Sequence, residues 1–148
     1  MCEGLRYLDL AHKEWKVYFS NPKAYIPVLR DMGVIEWVKW GRREEETSPE
    51  LVDFIQGGWA SNDSLEQGQW GKFEPELVNL AVQGYMEKDK DGNLHWFDVP
   101  EGNAIQAVIV KRHLEERLYI VTTDSPPECS WVHDRWPSMT SIDQVAQG

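Results

Sequence analysis

Short apolar runs bounded by turn signals dominate the chain, and only one stretch reads as a helix. Leu5 to Leu10 mixes apolar and polar residues and predicts a first strand, while the aromatic-rich run His12 to Phe19 fits no single period. Asn21-Pro22 marks a turn. Tyr25 to Leu29 is apolar but contains Pro27, which predicts an edge strand or an extended segment. After a turn at Asp31-Met32-Gly33, Val34 to Trp40 alternates, with Ile35 and Trp37 on one face and Val38 and Trp40 on the other. Gly41 to Glu46 is a charged loop. Ser48-Pro49 then reads as an N-cap followed by proline at the first helical position, opening a helix with Leu51, Phe54 and Ile55 on one side and Gly57-Gly58 at its end.

Ser61 to Gly71 is polar with two glycines and reads as loop. Leu77 to Val82 is strand-like and Gly84 to Lys88 continues it. Asp91-Gly92 signals a hairpin whose return strand is Leu94 to Val99. Ile105 to Val110 and Leu118 to Thr123 are β-branched runs joined by a charged connection, which predicts another strand pair. Ser125-Pro126 opens a short helix or turn, and the tail from Ser138 is polar and expected to be loosely held. Strands first, one helix in the middle and several strands after it, without β-α alternation, predict an α+β fold of mainly antiparallel sheet or partly closed barrel.

Composition bounds this picture. The 148 residues suit one domain, 1–148, with 41% hydrophobic and 11% aromatic residues, a globular composition. No apolar run approaches the roughly 20 residues of a membrane span, and the start lacks a signal peptide's basic and apolar regions, so the expectation is a cytoplasmic protein. Cys2 and Cys129 give neither a disulfide framework nor metal-ligand spacing, and Cys129 reads as a small buried side chain. The scattered histidines His12, His95 and His113 argue against zinc, so no metal and no cofactor are expected. A net charge of −10, from 15 Lys+Arg against 25 Asp+Glu, opposes indiscriminate duplex binding but leaves room for a local basic groove from Arg42-Arg43, Lys111-Arg112 and Arg135.

Four stretches hold polar groups in apolar or aromatic surroundings: Cys2, Asn62 to Glu66, Gly84 to Glu87, and His133 to Pro137. If Met1 is removed, Cys2 carries a free amine of pKa about 7.7–8.0 beside a thiol of about 8.5. Together they can trap an aldehyde as a Schiff base that the thiol closes to a thiazolidine. Each residue also has an ordinary reading: Cys2 as an accident of the chain start, Asn62 as a turn former, Glu87 as a solvated carboxylate, His133 as part of a surface ion pair with Asp134 and Arg135. No serine sits in a G-x-S-x-G setting, so a serine hydrolase has no support.

In order, these residues resemble the SOS-response-associated peptidase (SRAP) family, whose members crosslink to abasic sites in single-stranded DNA. The family's Met-Cys-Gly-Arg start is similar to Met1-Cys2-Glu3-Gly4-Leu5-Arg6-Tyr7, as though two residues were inserted. Asn21-Pro22 and Pro27-Val28-Leu29-Arg30 echo its Asn-x-x-Pro and apolar-Arg run, and Lys39-Trp40-Gly41 its Arg-Trp-Gly turn. Asn62-Asp63-Ser64-Leu65-Glu66 answers Asn-Ala-Arg-Ala-Glu, and Gly84-Tyr85-Met86-Glu87-Lys88 answers Gly-Phe-Tyr-Glu-Trp. Thr122-Thr123 and His133-Asp134-Arg135-Trp136-Pro137 match Thr-Thr and His-Asp-Arg-Met-Pro, the most specific of the set. The chain is shorter than typical members, and it departs at Ser64, where the family has arginine, at Arg42-Arg43 in place of an apolar-Pro turn, at Lys88 and at Trp136.

The resemblance implies a twisted, largely antiparallel, barrel-like sheet with short helices. It implies Cys2 as nucleophile, Asn62 as a positioner of the sugar, Glu87 as the acid-base that opens the sugar ring, and His133 as the second proton carrier. Arg42, Arg43 and Arg135 would contact DNA, with bases stacking on Trp40 or Trp136. The expected partner is single-stranded DNA with an abasic site, bound by a monomer away from membranes. Two alternatives stay open: a non-catalytic acidic binding module on the same fold, and a Cys2/His133 cysteine peptidase.

Overall fold

A computed structural model describes residues 2–142. Its strands are β1 (Gly4–Leu8), β2 (Glu14–Tyr18), β3 (Tyr25–Leu29), β4 (Ile35–Lys39), β5 (Trp59–Ser61), β6 (Glu76–Leu80), β7 (Gly84–Lys88), β8 (Leu94–Asp98), β9 (Asn103–Arg112), β10 (Glu115–Asp124), β11 (Arg135–Pro137) and β12 (Met139–Ser141), with one helix, α1 (Asn62–Glu66), and three short 3₁₀ turns. The fold is mainly antiparallel β. A four-stranded sheet runs β2-β1-β7-β8, and a larger one runs β11-β10-β9-β6-β3-β4, with β5 parallel to β10 and β12 on β9. The larger sheet curls far enough that Trp40, just past β4, bridges Leu118 of β10, and Gly41 N–H donates to the Leu118 carbonyl. That return contact is a single bridge, and among the described residues no closed ladder forms.

Alternation accounts for the main core. Along β4 and the residue after it, Val38 and Trp40 are buried while Ile35 and Trp37 face solvent, the predicted two faces. Leu5, Ile26, Val28, Tyr85, Ile105, Ile109, Leu118 and Ile120 fill the space between the two sheets together with Cys2. A second core lies on the other face of β9 and β10, where Phe54, Trp70 and Phe73 cover Val108, Val110, Tyr119 and Val121. Each large apolar side chain buried in this way contributes about 1.5–3 kcal/mol.

Several expectations are corrected. Residues 48–57 form successive turns, not a helix. The N–H groups of Leu51 and Val52 both reach the Ser48 carbonyl, but the carbonyls of Phe54 and Ile55 accept from Arg42 and Tyr119, and Gly57 bridges Arg42. Tertiary partners thus override a good N-cap. The helix lies instead at Asn62–Glu66, inside the expected loop, capped by Ser61, whose hydroxyl accepts the Ser64 N–H at 3.1 Å. Strand β3 is interior, between β4 and β6. Pro27 is tolerated because it sits where pairing with β6 ends: its carbonyl takes the Ala81 N–H, and no donor is needed beyond it. Residues 77–88 split into β6 and β7, in different sheets. Cys129 is partly exposed in a 3₁₀ turn.

The stretch from Ser138 is held through Ser141. The β9–β10 hairpin is paired from Arg112 and Glu115 to Ala107 and Ile120, then forks. Strand β11 pairs with β10 and β12 with β9 in the opening. Ser138 joins the two arms, donating its N–H to Val121 O and accepting Gln106 N–H, each at 2.8 Å. The remainder of the expected loose tail, 143–148, lies outside the described residues, as does Met1. Among the described residues no helix is long and apolar enough to cross a membrane.

Candidate active site at the amino-terminal strand

Cys2 and Leu5 both enter the main core, although they are three residues apart and strict alternation would place them on opposite faces. A bulge resolves the conflict. Gly4 is the register partner of Met86, yet the Glu3 N–H also donates to Met86 O at 3.1 Å, one residue out of step. Glu3 and Gly4 therefore both oppose Met86 of β7, and the bulge turns Cys2 inward. Its thiol donates to Gly4 O at 3.3 Å, and its carbonyl accepts Trp59 Nε1–H at 2.6 Å. Trp59 in turn packs on Phe19 and Trp40.

Glu87 stands near the end of β7 and is 0% exposed, on a strand whose residues Gly84 to Glu87 are all buried. Burial pushes its pKa up to about 7. Burial first, and the charge of Glu87 second, push the Cys2 thiol well above its ordinary value. The two groups therefore act on each other, and Cys2 rests as a protonated thiol. The same two groups, after burial, raise Tyr85. Directly across from Glu87 in register lies His95 of β8, whose Nε2 meets Asp89 Oδ2 at 2.8 Å.

His133 precedes β11. Its Nδ1 accepts the Arg135 N–H at 3.0 Å, which assigns the neutral ring's proton to Nε2. Burial lowers its pKa, so the neutral ring prevails at pH 7. With Glu3, Lys88, Val132 and Asp134 it lines a cleft of about 320 Å³. The Glu3 carboxylate raises the proton affinity of both Glu87 and His133, which links the cleft to the buried carboxyl. Cys2, Glu87 and His133 thus come to one end of β1 and β7.

Asn62 does not join them. Its Nδ2 donates to Thr123 Oγ1 at 3.3 Å, and it lines a different groove with Leu65, Gln106, Val108 and Val121, on the face of β9 and β10 that carries the second core. The expected DNA contacts are also corrected. Trp40 is fully buried, with Nε1 donating to Gly58 O at 3.0 Å, so no base can stack on it. Arg43 is buried and donates to the carbonyls of Phe19 and Trp40, with Glu46 3.6 Å away. Arg42 donates to the carbonyls of Glu46 and Phe54. Arg135 is held by Asp124 and by the Thr122 carbonyl. Trp136 packs edge-on to Tyr85 and Phe97, with its ring turned to the core. These side chains build the scaffold and present no basic groove.

Sequence reasoning missed Trp59, which fixes the Cys2 carbonyl, Glu3, and His95. The Asp91-Gly92 hairpin contained the signal for His95, since its turn sets the register that pairs His95 with Glu87. Among the described residues no group of three His, Cys, Asp or Glu could hold a metal ion. Compared with known proteins, the chain matches no family model and no curated sequence.

Proposed function

We propose that this chain captures an aldehyde covalently through Cys2 once Met1 is removed, that the aldehyde is an abasic sugar in single-stranded DNA, and that the curled sheet is a short version of the barrel-like SRAP fold. One observation carries the reading: a fully buried carboxyl, Glu87, with a pKa near 7, beside a buried second-position cysteine. A solvated carboxylate would titrate near 4 and could not hold a proton at working pH. A carboxyl near 7 can give and take one.

The chemistry follows from these groups. Glu87 moves a proton between the sugar hydroxyl and the ring oxygen, opening the ring to its aldehyde. The freed Cys2 amine adds to the aldehyde carbon, giving a carbinolamine. The Glu87 carboxyl protonates the leaving hydroxyl, water departs, and the carboxylate takes back the proton the nitrogen loses, leaving an imine; the neutral His133 donates its Nε2–H as a hydrogen bond to the leaving oxygen. The Cys2 thiol adds across the C=N bond, sulfur to carbon and its proton to nitrogen, giving a thiazolidine with the net loss of one water. The buried thiol need not ionise in advance, since Glu87 can take its proton and hand one to the imine nitrogen as sulfur attacks. Cys2 is 0% exposed, so capture requires the backbone at Cys2 to swing toward the cleft that the next residue, Glu3, already lines.

A cysteine peptidase dyad fits poorly, because a thiol raised by burial supplies no thiolate to attack a peptide bond. The non-catalytic binding module has one observation in its favour: the arginines expected to hold DNA are committed to carbonyls and carboxylates. Intact mass, before and after incubation with a single-stranded oligonucleotide carrying one abasic site, separates the readings. The capture mechanism predicts loss of Met1 and a DNA adduct that Cys2→Ala cannot form. Glu87→Gln should slow adduct formation by roughly 10²–10⁴-fold, the usual worth of general acid-base catalysis. A Cys2→Ala adduct would sink the mechanism. A retained Met1 with no adduct would favour the binding module.

A further inference from the structure

The outward face of the β2-β1-β7-β8 sheet carries an aromatic and cationic strip that the capture chemistry does not use. Register sets Tyr18, Gly4, Met86 and Trp96 in one row across it, and Lys16, Arg6, Gly84 and Asp98 in the next. Both central strands supply a glycine. A Cβ on Gly4 would stand 3.2 Å from the Tyr18 ring and 3.3 Å from Met86 Cβ, and one on Gly84 would stand 2.6 Å from the Arg6 guanidinium. The glycines let Tyr18 lean over β1 to meet Trp96 edge to face at 6.2 Å, and let Arg6 lie flat over β7. Tyr18 remains 39% exposed and Trp96 half-buried. Lys16 Nζ sits 4.9 Å from the Trp96 ring centroid. Among the described residues Lys16 is in no ion pair, whereas Arg6 is held by Asp98 and Glu14. Lys88, two residues beyond Met86 on the same face, lines the His133 cleft, where its half-exposed ammonium lies 3.9 Å from the Glu3 carboxylate.

The chain carries a net charge of −10, and on this strip Lys16 stands beside solvent-facing rings with no carboxylate paired to it among the described residues. Rings on a sheet surface offer π-faces to bases of any sequence, and flanking lysines meet phosphates. We propose that this strip is a stacking surface for single-stranded DNA: Tyr18 and Trp96 take bases, and Lys16 and Lys88 take phosphates. Its position next to the nucleotide entering the His133 cleft rests on the capture reading above; the stacking itself does not. The strip supplies the contacts that Trp40, Trp136 and the buried arginines cannot.

The test measures fluorescence anisotropy of a labelled oligo-dT without any abasic site, at low salt, on the Cys2→Ala background. No covalent step is then possible, so failure of capture and failure of stacking are read separately. W96A and Y18A should each bind about tenfold more weakly, the lower part of the range for one lost base stack, with circular dichroism and melting unchanged. W96F should retain most of the affinity. K16Q should flatten the salt dependence by about 0.7 in the log–log slope, one single-strand phosphate. Parental affinity in both W96A and Y18A overturns the proposal, as does no binding by the parent. Equal affinity for a duplex of the same length overturns it by reducing the contact to phosphates alone. A tenfold preference for the ribonucleotide oligomer would assign the surface to RNA and overturn it too.

Discussion

Two clusters bury ionisable groups in this molecule, and they treat charge in opposite ways. Around the Trp40–Gly41 corner, Arg43, Arg117 and Glu46 are packed together. Arg117 donates to Gly41 O at 2.8 Å and to Glu46 Oε2 at 3.0 Å, and Glu115 accepts from its Nε at 3.2 Å. Burial alone would raise Glu46, but the Arg43 N–H and the Arg117 guanidinium outweigh it, and the carboxyl is held below its ordinary pKa. Burial lowers Arg43, yet its guanidinium stays charged against two carbonyls. At the Cys2 end every shift runs toward the neutral form: Glu87 up, Cys2 up, His133 down. A cluster that has settled its charges locks a corner; a cluster whose groups stay near neutral can move protons.

The largest test of that contrast is to break the settled cluster. Replacing Arg117, 2% exposed, with methionine leaves the largely covered Glu46 without its main cation and should cost about 3–5 kcal/mol, measured by urea unfolding at pH 7. Arg117→Lys should recover only part, because one ammonium cannot meet Gly41 O, Glu46 and Glu115 with the guanidinium's geometry. A loss under 1 kcal/mol for Arg117→Met would mean that this corner is not held by its charges.

Glu87→Gln should act with the opposite sign. The folded chain binds the Glu87 proton more tightly, with a pKa of about 7 against an ordinary value of 4.5. Below 4.5 both states are protonated and no penalty exists. Between 4.5 and 7 the unfolded chain releases a proton that the folded one keeps, so wild-type stability falls as pH rises; above 7 the loss is constant. Its size is about 3 kcal/mol. Glu87→Gln should therefore match the wild type near pH 4.5 and exceed it by up to that amount at pH 8. Taking the difference between the two proteins cancels every other titration, including that of His133, which runs the other way. A difference that does not change with pH would remove the raised Glu87 pKa, and with it the main support for acid-base chemistry here.

What was legible in the sequence divides along the same lines. Period-two alternation exposed the faces of β4, and the Asp91-Gly92 turn set the β7–β8 hairpin, because both signals are local. The 48–57 turns were hidden, because the partners that override the Ser48 cap, Arg42 and Tyr119, are distant in sequence. The inward turn of Cys2 was hidden as well, since a bulge depends on β7 and not on the residues of β1. Glu87 was legible as a candidate only through its neighbours in a motif; its burial is a tertiary fact. The arginines misled because a basic side chain reads the same whether it will meet a phosphate or a backbone carbonyl.

Asn62 offers the smallest effect and the finest discrimination between the two halves of the molecule. The motif grouped it with Cys2, Glu87 and His133, but it packs across β10 from them. Its side-chain hydrogen bond to Thr123 is 3.3 Å long, and the residue is partly exposed. Asn62→Ala should cost no more than about 1 kcal/mol, the usual net worth of such a bond. If the site is confined to the β1–β7 end, Asn62→Ala should also leave the rate of abasic-site adduct formation within twofold of wild type, while Glu87→Gln slows it severely. A severe loss in Asn62→Ala with stability intact would show that the reacting sugar spans both faces of β10. The chemistry would then have to be rebuilt around the groove of Asn62 and Gln106 instead of the cleft of His133.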